Sequence, residues 1–238
     1  MTEWLSTLWA GMTSPQEAPQ LWMILVAWPV AILAVYTPFW SISRNVVTVV
    51  HEGGHALTGL IWGRRIRGIR LHSDTSGVTI SAGKPHGLGM IFTTAAGYTA
   101  PALLGLGLQW LSSAGFVILG LVLLSVAALF ILLSIRNFFG LLVMIPVLAG
   151  FYFLSRLSVD LQTFSLLALA TFLTVASLRP IIELQRLRWR GEAEATDADQ
   201  LFRLTLIPAI AWVGYFLLVS LGSNLLTVWF QLQPIFSL

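Results

Sequence analysis

Apolar residues in this chain gather in runs of membrane-spanning length. The runs cover residues 21–40, 44–62, 88–112, 114–135, 138–156, 160–179 and 202–227. A hydrocarbon core of about 30 Å takes about 20 helical residues. The pattern therefore predicts an all-α polytopic membrane protein with about seven transmembrane helices, built as one membrane-embedded domain over residues 21–238. Residues 1–20 read differently. Trp4, Leu5, Leu8, Trp9 and Met12 form an amphipathic stretch ahead of a Pro-containing break, expected to lie at the membrane interface.

Two segments interrupt the apolar pattern. In residues 63–87, Ile66, Ile69 and Leu71 lead to Asp74-Thr75-Ser76-Gly77 and then Val78-Thr79-Ile80-Ser81. Alternating β-branched residues around a turn predict a small β-hairpin directly after the run 44–62. Residues 180–200 form the second polar segment, a loop carrying Arg186, Arg188, Arg190, Glu192, Glu194, Asp197 and Asp199.

Composition agrees with the bilayer reading. The chain is 57% hydrophobic and 10% charged, against about a quarter charged in soluble domains, and its mean hydropathy is +0.84. No cysteine is present, which excludes disulfides and thiolate metal sites. The pI of 9.8 comes with a net charge of only +3, and the arginines cluster between apolar runs, as membrane topology requires. No nucleic-acid partner is expected; the lipid bilayer is. Glu3 and Glu17 stand where a signal peptide would be basic.

The basic residues orient the chain. The hairpin segment carries Arg64, Arg65, Arg67, Arg70 and Lys84, and the late polar segment with its edges carries Arg179, Arg186, Arg188, Arg190 and Arg203. Four predicted spans separate the two, so both face one side. With Arg136, eleven of the thirteen basic residues share it, leaving Arg44 and Arg156 opposite. That side is cytoplasmic by the positive-inside rule, which puts the N-terminus of a seven-span chain inside.

Within the run 44–62 stands His51-Glu52-Gly53-Gly54-His55. Histidines four apart stack on one helix face and can share one ion; imidazole suits Zn²⁺, and Glu52 lies where a general base for water is needed. Such groups are costly in a membrane helix without partners. The bland alternative is a pair of histidines hydrogen-bonded to neighbouring helices. Gly53 and Gly54 each cost a helix about 0.8–1 kcal/mol against Ala, so they imply close helix packing, room for a substrate backbone, or both. Tyr98 reads as packing or as an oxyanion donor, Asn137 as an interfacial hydrogen bond, Asn45 as a cap on the metal helix, and Trp40 and Trp229 as interfacial anchors.

Asn45-Val46-Val47-Thr48-Val49-Val50 leading into His51-Glu52-Gly53-Gly54-His55-Ala56 resembles the metal helix of the site-2 protease family of intramembrane zinc metallopeptidases. Within that family the chain is similar to a compact bacterial and plant subgroup. Gly68-Ile69-Arg70-Leu71-His72 through Gly77-Val78-Thr79 resembles the hairpin after that helix. Ala95-Ala96-Gly97-Tyr98-Thr99-Ala100-Pro101 resembles the Gly-containing motif of the next core helix. Thr196-Asp197-Ala198 through Pro208 and Trp212 resembles the subgroup's C-terminal signature. The resemblance covers roughly residues 44–215 and implies an integral protein of the bacterial cytoplasmic membrane. It departs from better-known members in lacking their Asp-Gly dipeptide, whose Asp is the third zinc ligand, and in having Pro101 where many have Asn.

The third ligand is therefore open among the remaining acids and histidines: His72, Asp74, His86, Glu183, Glu192, Glu194, Asp197 and Asp199, with Asp160 on the far side as an outlier. The resemblance points to Asp197. Against it stands a helix N-cap at Thr196, Asp197 or Asp199, and Asp74 reads as a turn residue. The implied activity is hydrolysis of a transmembrane or peptide substrate by Zn²⁺ held on His51, His55 and Asp197, with Glu52 activating water. The alternatives are a non-proteolytic scaffold or metal-binding regulator of the same fold and, further off, a transporter.

Overall fold

The computed structural model describes residues 2–192 and 195–236, without the side chains of residues 2–4, 7 and 234–236. Trp4 of the amphipathic stretch and the ligand candidate Glu194 thus lie outside the described side chains. The elements in chain order are α1 (Thr2–Thr13), α2 (Leu21–Tyr36), α3 (Trp40–Ile61), β1 (Arg65–Leu71), β2 (Gly77–Ala82), α4 (Leu88–Ser113), α5 (Val117–Ser134), α6 (Phe138–Leu154), α7 (Val159–Ala176), α8 (Leu178–Trp189), α9 (Asp197–Thr205) and α10 (Ala209–Phe236).

The helical, membrane-type architecture and the hairpin are present, but the expected count of about seven spans is not reached. Among the described residues, four helical stretches are long and apolar enough to cross: Leu88–Ser113, Val117–Ser134, Val159–Trp189 and Ala209–Gln233. A fifth exists if α2 and α3 count as one span bent by 98°. The bend falls at Thr37-Pro38-Phe39, where proline interrupts the helical ladder. The 16 residues of α2 reach only about 24 Å, and α6 has 17.

Two further expectations change. The loop over 180–200 is partly helix: α8 continues α7 because Ile181 and Leu184 are buried against Ala198, Leu201 and Phe216. The run 202–227 is divided, because α9 stops at Leu206, with φ of +61°, before Pro208. Trp40 is no exposed anchor either; it is buried under the Arg179 guanidinium, 4.8 Å from its ring centre. Trp229 is exposed, as an anchor should be.

Helix α4 is the central post, packed on α3, α7, α9 and α10. Small residues permit close approach: a Cβ on Gly54 of α3 would lie 2.5 Å from the Ala100 Cβ and 2.9 Å from the Ala96 carbonyl of α4. Away from the histidines, Gln231 of α10 ties four helices together. It accepts from Trp28 Nε1 at 2.7 Å and donates to Gln109 Oε1 at 2.9 Å and Thr171 Oγ at 3.0 Å.

The two strands are antiparallel, with Ile69 opposite Thr79 and Leu71 opposite Gly77, and a bulge between Ile66 and Gly68. The hairpin folds back along α3, where Thr48 donates to the Thr75 carbonyl at 2.7 Å. Its β1 edge is covered: Arg136 N–H donates to the Ile69 carbonyl, and Asn137 exchanges two hydrogen bonds with the Leu71 backbone.

Candidate metal centre

His51 and His55 fall on one face of α3 because they are one helical turn apart. Their Nε2 atoms stand 3.1 Å from each other. Asp197, the first residue of α9, brings Oδ2 to 3.2 Å from His51 Nε2 and 3.3 Å from His55 Nε2. Among the described residues these three are the one group of histidines and carboxylates whose ligand atoms converge this way.

Orientation is set from outside the cluster. His55 Nδ1 lies 2.7 Å from the Thr93 carbonyl of α4. A carbonyl only accepts, so Nδ1 carries the proton, and in the neutral ring the Nε2 lone pair turns to the cluster, an arrangement common behind metal-ligating imidazoles. Asp197 Oδ2 is buried with no hydrogen-bond partner. A lone-pair nitrogen beside a buried carboxylate oxygen with no hydrogen-bond donor is repulsive unless a metal ion or a proton lies between them. Tetrahedral Zn²⁺ with bonds of about 2.0–2.1 Å places its ligand atoms about 3.3–3.4 Å apart, close to the three separations seen here. The residues therefore fit a zinc ion.

Glu52, 4% exposed, reaches the hairpin. Its Oε2 accepts from the Thr79 hydroxyl of β2 at 2.6 Å. Gly77, the next residue on that strand face, leaves the space: a Cβ there would lie 2.7 Å from Glu52 Cγ and 2.8 Å from Oε1. Thr79 is a site residue that no spacing in the sequence singled out; its only signal was membership of a β-branched run.

Gly97 of α4 faces the imidazoles directly. A Cβ there would come within 2.5 Å of His55 Nε2 and 2.6 Å of His51 Nε2. The Tyr98 ring packs edge-on to His51 at 4.8 Å and stacks on Phe216, which is the packing role expected for it. Gly53 faces Ile131 of α5 and Gly54 faces α4, so both serve helix packing.

The N-cap competition at α9 is divided between neighbours. Thr196 caps the helix and Asp199 completes a capping box, accepting from the Thr196 backbone N–H and hydroxyl. Asp199 also pairs with Arg188. Burial pushes its carboxyl up, but the Thr196 and Arg188 donors outweigh that and hold it below the ordinary carboxylate range. Asp197 is thereby free of capping duty.

The other candidates lie elsewhere. Asp160 opens α7 beside Glu17 at a separate cavity. Glu183 pairs with Arg179 and Arg44. Asp74 accepts from the Ser76 N–H and hydroxyl, as a turn residue should, and those bonds hold its carboxyl low. His72 meets Ser76 at the hairpin tip; His86 and Glu192 are exposed. Asn45 sits one turn inside α3, bonded back to the Ile42 carbonyl at 3.1 Å, so it is not the cap.

These features define a helical membrane protein with a two-histidine, one-carboxylate centre beside a buried glutamate. The family model described as Peptidase M50B-like matches residues 21–227, and the chain belongs to that family, the site-2 protease family of intramembrane metallopeptidases. No curated protein and no solved structure matches it.

Proposed function

We propose that the protein is an intramembrane zinc peptidase that cleaves peptide bonds of transmembrane substrates. The observation that carries this reading is the convergence of His51, His55 and Asp197 on one point, with Asp197 Oδ2 otherwise unpartnered. His51, His55 and Asp197 would hold the ion, and its Lewis acidity would polarise the scissile carbonyl and acidify water. Glu52 takes the proton of the attacking water and delivers it to the leaving amine. The hydrogen bond from Thr79 keeps one carboxylate oxygen occupied and leaves the other for that transfer. Because the β1 edge is covered, β2 offers the edge on which an unwound substrate segment pairs as an added strand.

The site supports one sidedness. The hairpin and α9 meet at one centre, so the chain crosses an even number of times between them. Helices α4, α5 and the α7–α8 stretch are three crossings, and the shorter α6 supplies the fourth. The basic hairpin and the basic end of α8 then share the cytoplasmic side.

The test is Glu52→Gln assayed on transmembrane substrates after reconstitution. Zinc should remain stoichiometric while proteolysis is lost; undiminished proteolysis would sink the mechanism. Purified wild-type protein without zinc would favour the scaffold reading instead.

A further inference from the structure

The hairpin has two faces of opposite character. Ile69 and Leu71 of β1 are buried, and with Thr79 and Gly77 opposite them they form the face that holds Glu52. The other face carries Gly68 and Arg70 on β1 and Ile80 and Val78 on β2. The Arg136 side chain is laid across Gly68, so closely that a Cβ there would come within 2.3 Å of Arg136 Cγ. Arg70, Arg136, Val78 and Ile80 are all exposed, and exposed Leu133 and Phe138 flank Arg136 along the chain.

That mixture selects its surroundings. A sheet face in bulk water does not require four exposed aliphatic and aromatic side chains around two arginines, and a face in hydrocarbon does not tolerate the arginines. Guanidinium heads over apolar bodies belong at the headgroup level. The charge is uncompensated. Segment 63–87 carries five basic residues, Arg64, Arg65, Arg67, Arg70 and Lys84, against the single acid Asp74, a net of +4. Among the described residues, ion pairs to carboxylates involve Arg44, Arg179 and Arg188, and none involves Arg65, Arg67, Arg70 or Arg136. Arg136 spends one nitrogen on the Leu133 and Ile135 carbonyls, which fixes its stem and leaves the rest of its fork outward.

We propose that the outer face of the hairpin is a docking surface for anionic phospholipid headgroups, with Arg70 and Arg136 as its centre and Arg65 and Arg67 extending it. Headgroup phosphates match guanidinium forks in charge and geometry, while Val78, Ile80, Leu133 and Phe138 enter the acyl boundary beside them. Because the opposite face of the same two strands holds Glu52, lipid on the outer face steadies the base from behind. The lipid surface stands without the enzyme reading; only the consequence for Glu52 rests on it.

The experiment is hydrogen–deuterium exchange of the full-length protein in nanodiscs of phosphatidylcholine alone and of phosphatidylcholine with phosphatidylglycerol. An arginine near an anionic surface contributes about fivefold, so two central arginines should slow exchange across 65–82 on the order of tenfold or more in the anionic discs. The α7 amides should not respond. Arg70→Gln should remove most of the slowing, Arg70→Gln/Arg136→Gln all of it, and Arg70→Lys should keep much of it. Equal exchange in the two discs overturns the proposal, and so does slowing that survives the double substitution. A transmembrane peptide that slows 65–82 in phosphatidylcholine, with no lipid effect, makes the face a protein-docking surface and overturns it as well. Slowing by phosphatidylglycerol in a protein that shows no proteolysis upholds the lipid surface while counting against the enzyme.

Discussion

The Thr79 hydroxyl sits 2.6 Å from Oε2 of Glu52, joining a strand of the hairpin to the metal helix beside its two histidines. On the proposed mechanism the contact makes the hairpin part of the catalytic unit, because it fixes where the Glu52 carboxylate points. A hydrogen bond to a charged group contributes about 1.5–3 kcal/mol. Thr79→Val keeps the shape and removes the donor, so kcat should fall roughly 10- to 100-fold, with zinc content unchanged. Thr79→Ser should restore most of the rate. Steady-state proteolysis of a reconstituted substrate, run beside metal analysis, checks both.

Gly97 is the second constraint on the centre. A methyl group on this residue would stabilise an isolated helix by about 0.8–1 kcal/mol, yet here it would stand 2.5 Å from His55 Cε1 and Nε2. The backbone of α4 meets the same imidazole through the Thr93 carbonyl, so the ring has little freedom to yield. Gly97→Ala should therefore fold while binding zinc on the order of tenfold more weakly or worse. Competition with a chromogenic chelator measures it; wild-type affinity would show that the rings move aside.

Much of the centre was legible in the sequence because it is local. One helical turn sets the spacing of His51 and His55, and the turn residues around Asp74 announced the hairpin. The third member of the group is a tertiary fact: Asp197 lies 142 residues beyond His55 in the chain, and only a family resemblance pointed to it. The Thr196-x-x-Asp199 pattern could have assigned Asp199 to the cap and so narrowed the choice. The span count of about seven is not confirmed, for a physical reason. A hydropathy run records apolarity but not direction, so the 98° bend between α2 and α3 is invisible to it. Nor does it show that Ile181 and Leu184 carry α8 onward from α7.

Gln231 offers a test of the fold away from the metal. It is 2% exposed and makes three hydrogen bonds, to Trp28, Gln109 and Thr171. Hydrogen bonds between membrane helices average about 0.6 kcal/mol, with a maximum near 1.7. Gln231→Leu leaves the Trp28 donor and the Gln109 acceptor unpaired, so stability in detergent should drop by roughly 1–3 kcal/mol. Zinc stoichiometry should hold. Thermal unfolding followed by tryptophan fluorescence reads the first effect, and metal analysis the second.

Asp197 and Asp199 are two residues apart, and they should fail in different ways. Asp197 Oδ2 is buried against the two imidazole nitrogens with no hydrogen-bond donor of its own, whereas Asp199 serves the capping box and the Arg188 ion pair. Asp197→Asn removes the anionic ligand and should abolish stoichiometric zinc and proteolysis. The α9 helix should remain formed, because Thr196 and Asp199 still cap it. Asp199→Asn should cost about 0.5–2 kcal/mol, the range for a lost cap, with zinc bound near wild-type stoichiometry. Metal analysis with thermal unfolding on both variants separates the roles. Zinc lost from Asp199→Asn and kept by Asp197→Asn would exchange the two assignments and leave the unpartnered Asp197 oxygen without a cation to answer it.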